Sequence, residues 1–167
     1  MTRPLSLFLL GLFLLGCPPL ATVRNGELQK SGLRYSVQTL PEGWRKLALA
    51  DNDLAYVHDG TEHSLALNST CEGYNDASLD VLTRHLIMGF TEVKTLEQSH
   101  FELDGRDALR THVSAKLDGV PLEMGFVVLK KDGCVYDFTY LAPDGHFADQ
   151  VAAFDSVIGH FHAERTP

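Results

Sequence analysis

The chain has 167 residues, of which 44% are apolar and 22% are charged, and this composition can build one buried core. It excludes wholesale disorder and a multi-span membrane protein. Lysine and arginine total 14 against 22 aspartate and glutamate, and the resulting net charge of −8 argues against nucleic-acid binding.

The N-terminus has the pattern of a secretory signal. Arg3 precedes an apolar run, Leu5 to Leu15, that is too short to span a bilayer but suits a signal peptide. The run ends in Leu14-Leu15-Gly16-Cys17, which resembles the bacterial lipobox. This resemblance predicts a signal peptide over residues 1–16 and an acylated Cys17, which palmitate would label. The alternatives are a signal peptide cleaved elsewhere or a short membrane anchor with an incidental cysteine.

Residues 17–32 are predicted to carry the lipid and to form a flexible tether, because prolines, glycines and polar residues occur there without apolar periodicity. Pro18, rather than aspartate, would be the second residue of the mature chain, and by resemblance to enterobacterial sorting this favours the outer membrane. We therefore expect a periplasmic domain anchored in the cell envelope, with a single folded unit over residues 33–163.

Short strands and one helix are predicted in the first half of that domain. Leu33, Tyr35 and Val37 alternate with polar residues as in a half-buried strand. Further strands are predicted over residues 44–50, 54–58 and 64–70. A helix follows, with Asp76 or Ser78 as its N-cap, and its apolar stripe consists of Leu79, Leu82, Leu86 and Phe90.

The second half predicts an antiparallel meander and a final helix. Asp-Gly pairs begin at positions 104, 118 and 132, with strand-like segments between them. Alternation predicts that Arg110, His112 and Lys116 lie on the wet side of this sheet. The final helix follows Asp144-Gly145 and carries apolar residues as far as Phe161. The predicted fold class is α+β, an antiparallel sheet with helices packed on it.

From Tyr35 to Phe161 the pattern resembles the PsbP-like fold family. This family includes the photosystem II oxygen-evolving enhancer, a Ran-binding nuclear import factor and bacterial envelope lipoproteins of the DcrB type. The resemblance rests on Leu40-Pro41-Glu42-Gly43-Trp44, Ser78-Leu79, Gly105, and Tyr140-Leu141-Ala142-Pro143 leading to Phe147, Phe154 and Phe161. It implies a noncatalytic module that stabilises or assembles larger complexes, but it names no partner.

Cysteine usage fits an exported chain. The chain has three cysteines, and if Cys17 is acylated, Cys71 and Cys134 remain as a pair. A disulfide between them is predicted, and two buried free thiols are the alternative.

No motif for catalysis, nucleotide binding or zinc binding is present in the sequence. The nearest approach to a metal site is the predicted turn that carries His58, Glu62 and His63, where two imidazoles could face each other across a hairpin. These residues are better explained as exposed polar side chains around a turn. No metal and no cofactor are therefore predicted.

Taken together, these features predict an envelope lipoprotein that is not an enzyme. It is expected to bind the membrane through its lipid and to bind other envelope proteins. It would serve as an interaction or assembly module of a larger envelope complex. The alternative is a lipoprotein that binds a small ligand or a metal, although the sequence identifies no small molecule.

Overall fold

The computed structural model describes residues 22–24, 27–30, 32–49, 52–71 and 76–166. Within these residues the chain forms eleven strands and two helices. In chain order they are β1 (Thr22–Arg24), β2 (Glu27–Lys30), β3 (Leu33–Ser36), β4 (Trp44–Leu47), β5 (Leu54–His58), β6 (Ser64–Thr70), α1 (Leu79–Leu86), β7 (Thr91–Leu103), β8 (Arg106–Leu117), β9 (Val120–Lys131), β10 (Cys134–Pro143), α2 (Phe147–Gly159) and β11 (His162–Arg165).

The strands form two antiparallel sheets. The larger sheet has seven strands in the order β4-β5-β6-β10-β9-β8-β7, and the smaller has the order β1-β2-β3-β11. One face of the larger sheet packs against α2 and the smaller sheet, whereas α1 packs on the opposite face. The predicted α+β class is therefore confirmed.

Two-residue Asp-Gly turns connect the four strands from β7 to β10. Asp104, Asp118 and Asp132 have φ values of 50°, 51° and 53°, and the glycine after each also has a positive φ. Two successive residues with positive φ define the type I′ turn, whose twist matches that of antiparallel strands. The predicted meander is confirmed, and its register is fixed by these turns.

Aromatic side chains of β10 form the centre of the core. Tyr136, Phe138 and Tyr140 are almost completely buried on one face of this strand. Phe154 of α2 stacks on Tyr140 with ring centroids 5.5 Å apart, and Phe161 packs edge-on against Phe138 at 5.0 Å. Because α2 and the chain that follows it both meet this face, β10 positions the C-terminal segment of the domain from α2 onward.

Helix α1 covers the other face of the larger sheet. The hydroxyl of Ser78 accepts a hydrogen bond from the Val81 amide at 3.3 Å, so Ser78, one of the two predicted candidates, is the N-cap. Leu82 packs against Val128 and Val135 of the sheet. The helix ends at Leu86, four residues before the predicted stripe ends at Phe90.

The predicted N-terminal boundary is wrong. Strand β2 lies inside the segment predicted as a tether, it pairs with β3, and Leu28 is only 1% exposed. A four-residue strand with one buried position is too short to show periodicity, so its polar residues imitate a linker. Strand β11 is likewise four residues long with one buried position, and it begins directly after Phe161, the last apolar residue assigned to the final helix.

The face of the meander that was predicted to be exposed to solvent is instead partly covered by α2. Arg110 contacts Asp155 of α2 at 2.6 Å, and the His112 ring stacks on Phe147 with centroids 3.7 Å apart. The reason is the register, which places His112 beside Gly125 and Gly125 beside Tyr140. These residues therefore share the aromatic face of β10.

Gly125 lets α2 approach the sheet closely. A Cβ atom at this position would lie 3.2 Å from ring atoms of both Phe147 and Phe154. We expect Gly125→Val to lower the free energy of unfolding by about 1–3 kcal/mol, because the added methyl groups overpack this contact. Gly159→Ala is the control, since no atom lies near its Cβ position, and it should be neutral or slightly stabilising. Equal thermal unfolding midpoints for the wild type and Gly125→Val would contradict the packing described here.

Candidate functional site

The predicted lipidation site, Cys17, lies outside the described residues. The first described strand, β1, begins at Thr22, five positions later. Within the described residues, no helix is long and apolar enough to cross a membrane.

The predicted disulfide between Cys71 and Cys134 is present in the structure. It follows directly on the Thr70–Val135 pair and so joins the end of β6 to the start of β10. The two cysteines are 63 positions apart. Closing a loop of that size stabilises the folded chain by about 4 kcal/mol in the chain-entropy account.

The histidine turn has a structural role. The Nε2–H of His63 donates to the carbonyl oxygen of His146 at 3.0 Å, and Nδ1 of His63 accepts from the Thr61 hydroxyl at 2.9 Å. The Thr61 oxygen in turn accepts from Nδ1–H of His58 at 2.8 Å. Both ring nitrogens of His63 are thus engaged, and the chain of hydrogen bonds ties the β5–β6 turn to the start of α2.

The prediction that the polar residues of this turn are exposed is correct for Glu62 but wrong for His63, which is buried. His63 is 1% exposed and stacks on Tyr140 with centroids 5.8 Å apart. No group of three or more His, Cys, Asp or Glu side chains in the described part of the chain is arranged to hold a metal ion.

A cluster around Asp104, which sequence analysis missed, fastens β11 to the larger sheet. The Asp104 carboxylate accepts hydrogen bonds from Lys131 at 2.5 Å, from His162 at 2.8 Å and from the Ala163 amide at 2.9 Å. Burial alone would raise the pKa of Asp104, but these three donors outweigh it and hold the pKa below its usual range. The donors are far apart in sequence, so no local motif reveals the cluster.

A second buried cluster joins the two sheets at β2, β3 and β6. Lys30 contacts Asp53 at 2.6 Å, and the hydroxyl groups of Tyr35 and Ser69 donate to the same carboxylate. Burial, together with the charge of Asp53, raises the pKa of Tyr35, so this hydroxyl remains a donor. Each of these polar groups is used within the cluster, which indicates a structural role.

Strand β7 is the longest exposed edge of the described structure. It stands at the end of the seven-stranded sheet and, among the described strands, pairs only with β8. Its first ten residues are all exposed, and β4, at the opposite end of the sheet, has only four residues. An edge strand presents unpaired backbone groups that can pair with another chain. The edge of β7 is therefore the main candidate for an interaction surface.

Exposed apolar side chains lie along β7 and at the end of the sheet where β7 begins. They are Met88, Val93, Leu96, Leu117 and Val120, of which Met88 is 71% exposed and Val120 64%. Thr91, the first residue of β7, pairs with Lys116 just before the β8–β9 turn, so the start of β7 lies near Leu117 and Val120. Clustered exposed apolar residues are a feature of interaction surfaces.

A cavity of about 300 Å³ lies beside the disulfide at the other end of the sheet. Its lining includes both cysteines together with Arg106, Lys130 and Lys131. Lys131 is bound to Asp104, and Lys130 donates to the carbonyl oxygen of Ala77 at 3.0 Å.

Comparison of the fold with solved structures gives many matches, three of which are described here. No protein-family model and no curated protein sequence matches the chain. The cyanobacterial PsbP of Synechocystis has a TM-score of 0.54 at 14% identity, covering 90% of this chain and 99% of its own. LpqN, described as involved in cell envelope biogenesis of Mycobacterium tuberculosis, has 0.55 at 16%, covering 81% and 84%. A Pseudomonas aeruginosa protein of unknown function has 0.51 at 16%, covering 73% and 82%.

These similarities establish the fold. The chain has a PsbP-like fold, as the sequence resemblance predicts. At such low identities the matches carry no statement about activity or partners.

The Asp104 cluster predicts a pH-dependent stability. Because the folded pKa of Asp104 lies below the unfolded value, its contribution is present above about pH 4 and is lost as the pH falls through the folded pKa. We expect Asp104→Asn to lower the free energy of unfolding at neutral pH by about 1–3 kcal/mol. The difference from the wild type should shrink as the solution is acidified below about pH 4.

Denaturant titrations at several pH values measure this difference, with Asp59→Asn as the control. Asp59 forms an exposed pair with Arg45 at 3.3 Å, and such pairs contribute little. A deficit in Asp104→Asn that stays constant from neutral to acid pH would show that the carboxylate charge is not the stabilising element.

Proposed function

We propose that this chain is a noncatalytic lipoprotein of the cell envelope whose domain binds an extended segment of a partner protein along the edge of β7. The observation that carries the proposal is this edge, a thirteen-residue strand whose first ten side chains are exposed. Adding a strand to such an edge is a common mode of peptide recognition.

The register of the β7–β8 hairpin identifies which backbone groups face outward. Leu103 and Arg106 flank a two-residue turn and therefore form a hydrogen-bonded pair. Pairs alternate in antiparallel strands, so the backbone groups of Glu102, His100 and Gln98 point away from β8. Each of these three alternate residues therefore directs its N–H and C=O groups outward, where an added strand could form hydrogen bonds with them.

The edge also discriminates among partners. Register shifts between Thr91 and Lys94 and between Thr95 and Glu97 interrupt the first part of β7, which leaves the segment from Glu97 to Leu103 regular. Glu97 and Glu102 are exposed on that segment. A second copy of this strand would bring the same acidic side chains to the interface, so the favoured occupant is a basic segment of another protein.

An envelope location is supported by the signal pattern that ends in Cys17 and by the similarity to LpqN, which is itself involved in cell envelope biogenesis. Within the envelope, the outer membrane is the proposed location because Pro18, rather than aspartate, would follow the acylated Cys17. Because β1 begins five positions after Cys17, an acylated chain would hold the domain within about 17 Å of the lipid surface at full extension. The domain then works close to the membrane that carries it.

A noncatalytic role is supported by the histidine turn, where His58 and His63 are bound into structural hydrogen bonds. The second candidate function is binding of a small ligand, which the cavity beside the disulfide favours because its volume is at the lower end of known ligand sites. A ligand that co-purifies in stoichiometric amount and is lost in Arg106→Glu would support this second candidate.

Anchoring is tested at the predicted lipid site. We expect Cys17→Ser to abolish labelling with palmitate and to leave an unprocessed precursor, because the acyl chain and cleavage both require this thiol. Cys71→Ser is the matched control and should remain labelled, since its thiol is in the folded domain. Labelling of Cys17→Ser that equals the wild type would contradict the anchor.

Edge binding is tested by His100→Pro. Proline removes the outward N–H without removing a β7–β8 hydrogen bond, so recovery of the partner from crosslinked envelopes should fall by about tenfold. The stability should change by no more than about 1 kcal/mol. His100→Ala is the matched control, because it loses the same contact with Asp107 but keeps the N–H, and it should recover the partner normally. Equal recovery with both variants would contradict edge binding.

A further inference from the structure

We infer that the Cys71–Cys134 disulfide is a site of thiol–disulfide exchange at which an external dithiol attacks Cys71 and Cys134 leaves as a thiolate. This inference is independent of the edge proposed above for partner binding. It rests on three features of the described chain: an open approach to the bond, a difference in exposure between the two cysteine residues, and a cation beside one of them.

The approach is the cavity beside the disulfide. Both cysteines line this space of about 300 Å³, together with Arg106 and Lys130. A disulfide sealed in the core could react only after the domain unfolds, whereas one that borders a cavity can be reached in the folded state. The lining holds three basic side chains, those of Arg106, Lys130 and Lys131, against one carboxylate, Asp132, and this excess of positive charge favours the approach of an anionic thiolate.

The two cysteine residues are not equally exposed. Cys134 is 2% exposed and belongs to β10, whereas Cys71 is half-buried and follows the end of β6. Access therefore directs an incoming thiolate to Cys71. Cys134 then becomes the leaving group.

The guanidinium group of Arg165 is placed to stabilise that leaving group. Its Nη2 lies 3.5 Å from the Sγ atom of Cys134, and its Nε–H donates to the carbonyl oxygen of Asp132 at 2.8 Å, which fixes its orientation. Within the described residues Arg165 forms no ion pair with a carboxylate. A cation beside a cysteine lowers the pKa of its thiol, and a thiol of low pKa leaves faster.

The exchange proceeds in two steps. A thiolate of the external dithiol forms a bond to Sγ of Cys71, the Cys71–Cys134 bond breaks, and its electron pair remains on Sγ of Cys134. The second thiol of the donor then attacks the mixed disulfide, which gives the oxidised donor and a reduced Cys71. The protons of the donor pass to solvent or to the two cysteines, which are reduced by two electrons in total.

Reduction changes one connection in the fold. The disulfide closes the last position of the β6–β10 pairing, beyond Thr70 and Val135. Without it, the chain that leaves β6 toward α1 loses its covalent link to β10.

The experiment follows reduction of the purified full-length protein in detergent by dithiothreitol, with alkylation and mass spectrometry as the readout. Attack on the folded state predicts a rate that rises in proportion to the dithiothreitol concentration. A rate that reaches a plateau at the unfolding rate would overturn the inference, because only unfolded molecules would then be reacting.

Two further measurements test the roles of the sulfur atoms and of Arg165. Peptide mapping after treatment with reduced glutathione should place the mixed disulfide on Cys71, and predominant modification of Cys134 would overturn the assignment. Arg165→Gln should slow reduction several-fold, whereas Arg34→Gln, which removes a pair with Glu164 on the neighbouring strand, should not. Equal rates in the wild type and Arg165→Gln would exclude the leaving-group role.

Discussion

Packing on the aromatic face of β10 determines how the rest of the domain is assembled. Tyr136, Phe138 and Tyr140 lie on this face, and both α2 and the small sheet bury their apolar residues against it. Gly125 on the neighbouring strand has no side chain, so α2 can approach the sheet closely at this position. Large aromatic surfaces supply much of the hydrophobic stabilisation of a core. The polar clusters at Asp104 and Asp53 then fix where the small sheet lies on that core, because each cluster joins strands of both sheets.

This arrangement leaves a particular part of the molecule available for binding. The central strands of the larger sheet are covered on one face by α2 and the small sheet and on the other by α1, so β7 at the edge has the least cover. The disulfide and the Asp104 cluster lie at the end of the sheet opposite the exposed Met88 and Val120. One end of the larger sheet is therefore cross-linked by the disulfide, and the other end exposes apolar side chains. The edge of β7 runs between these two ends.

The sequence predicts the parts of this fold that depend on local pattern. Alternation and Asp-Gly turns predict the meander because a type I′ turn and the strand period are both encoded within a few residues. The histidine turn shows the limit. His63 is buried by contacts with Tyr140 and His146, which are more than seventy positions away along the chain, and nothing local distinguishes it from exposed Glu62. The Asp104 cluster was missed for the same reason, since its partners are distant in sequence. Strand β2 was missed because four residues with one buried position are too few to show periodicity.

Amide hydrogen exchange along β7 is the most direct measurement of the central claim, that this edge is the binding surface. The full-length protein is compared alone and in complex with the partner recovered from crosslinked envelopes. We expect slower exchange at the amides of Gln98, His100 and Glu102 in the complex, because their outward N–H groups become hydrogen-bonded. Unchanged exchange at these three amides in a demonstrably bound sample would contradict this claim.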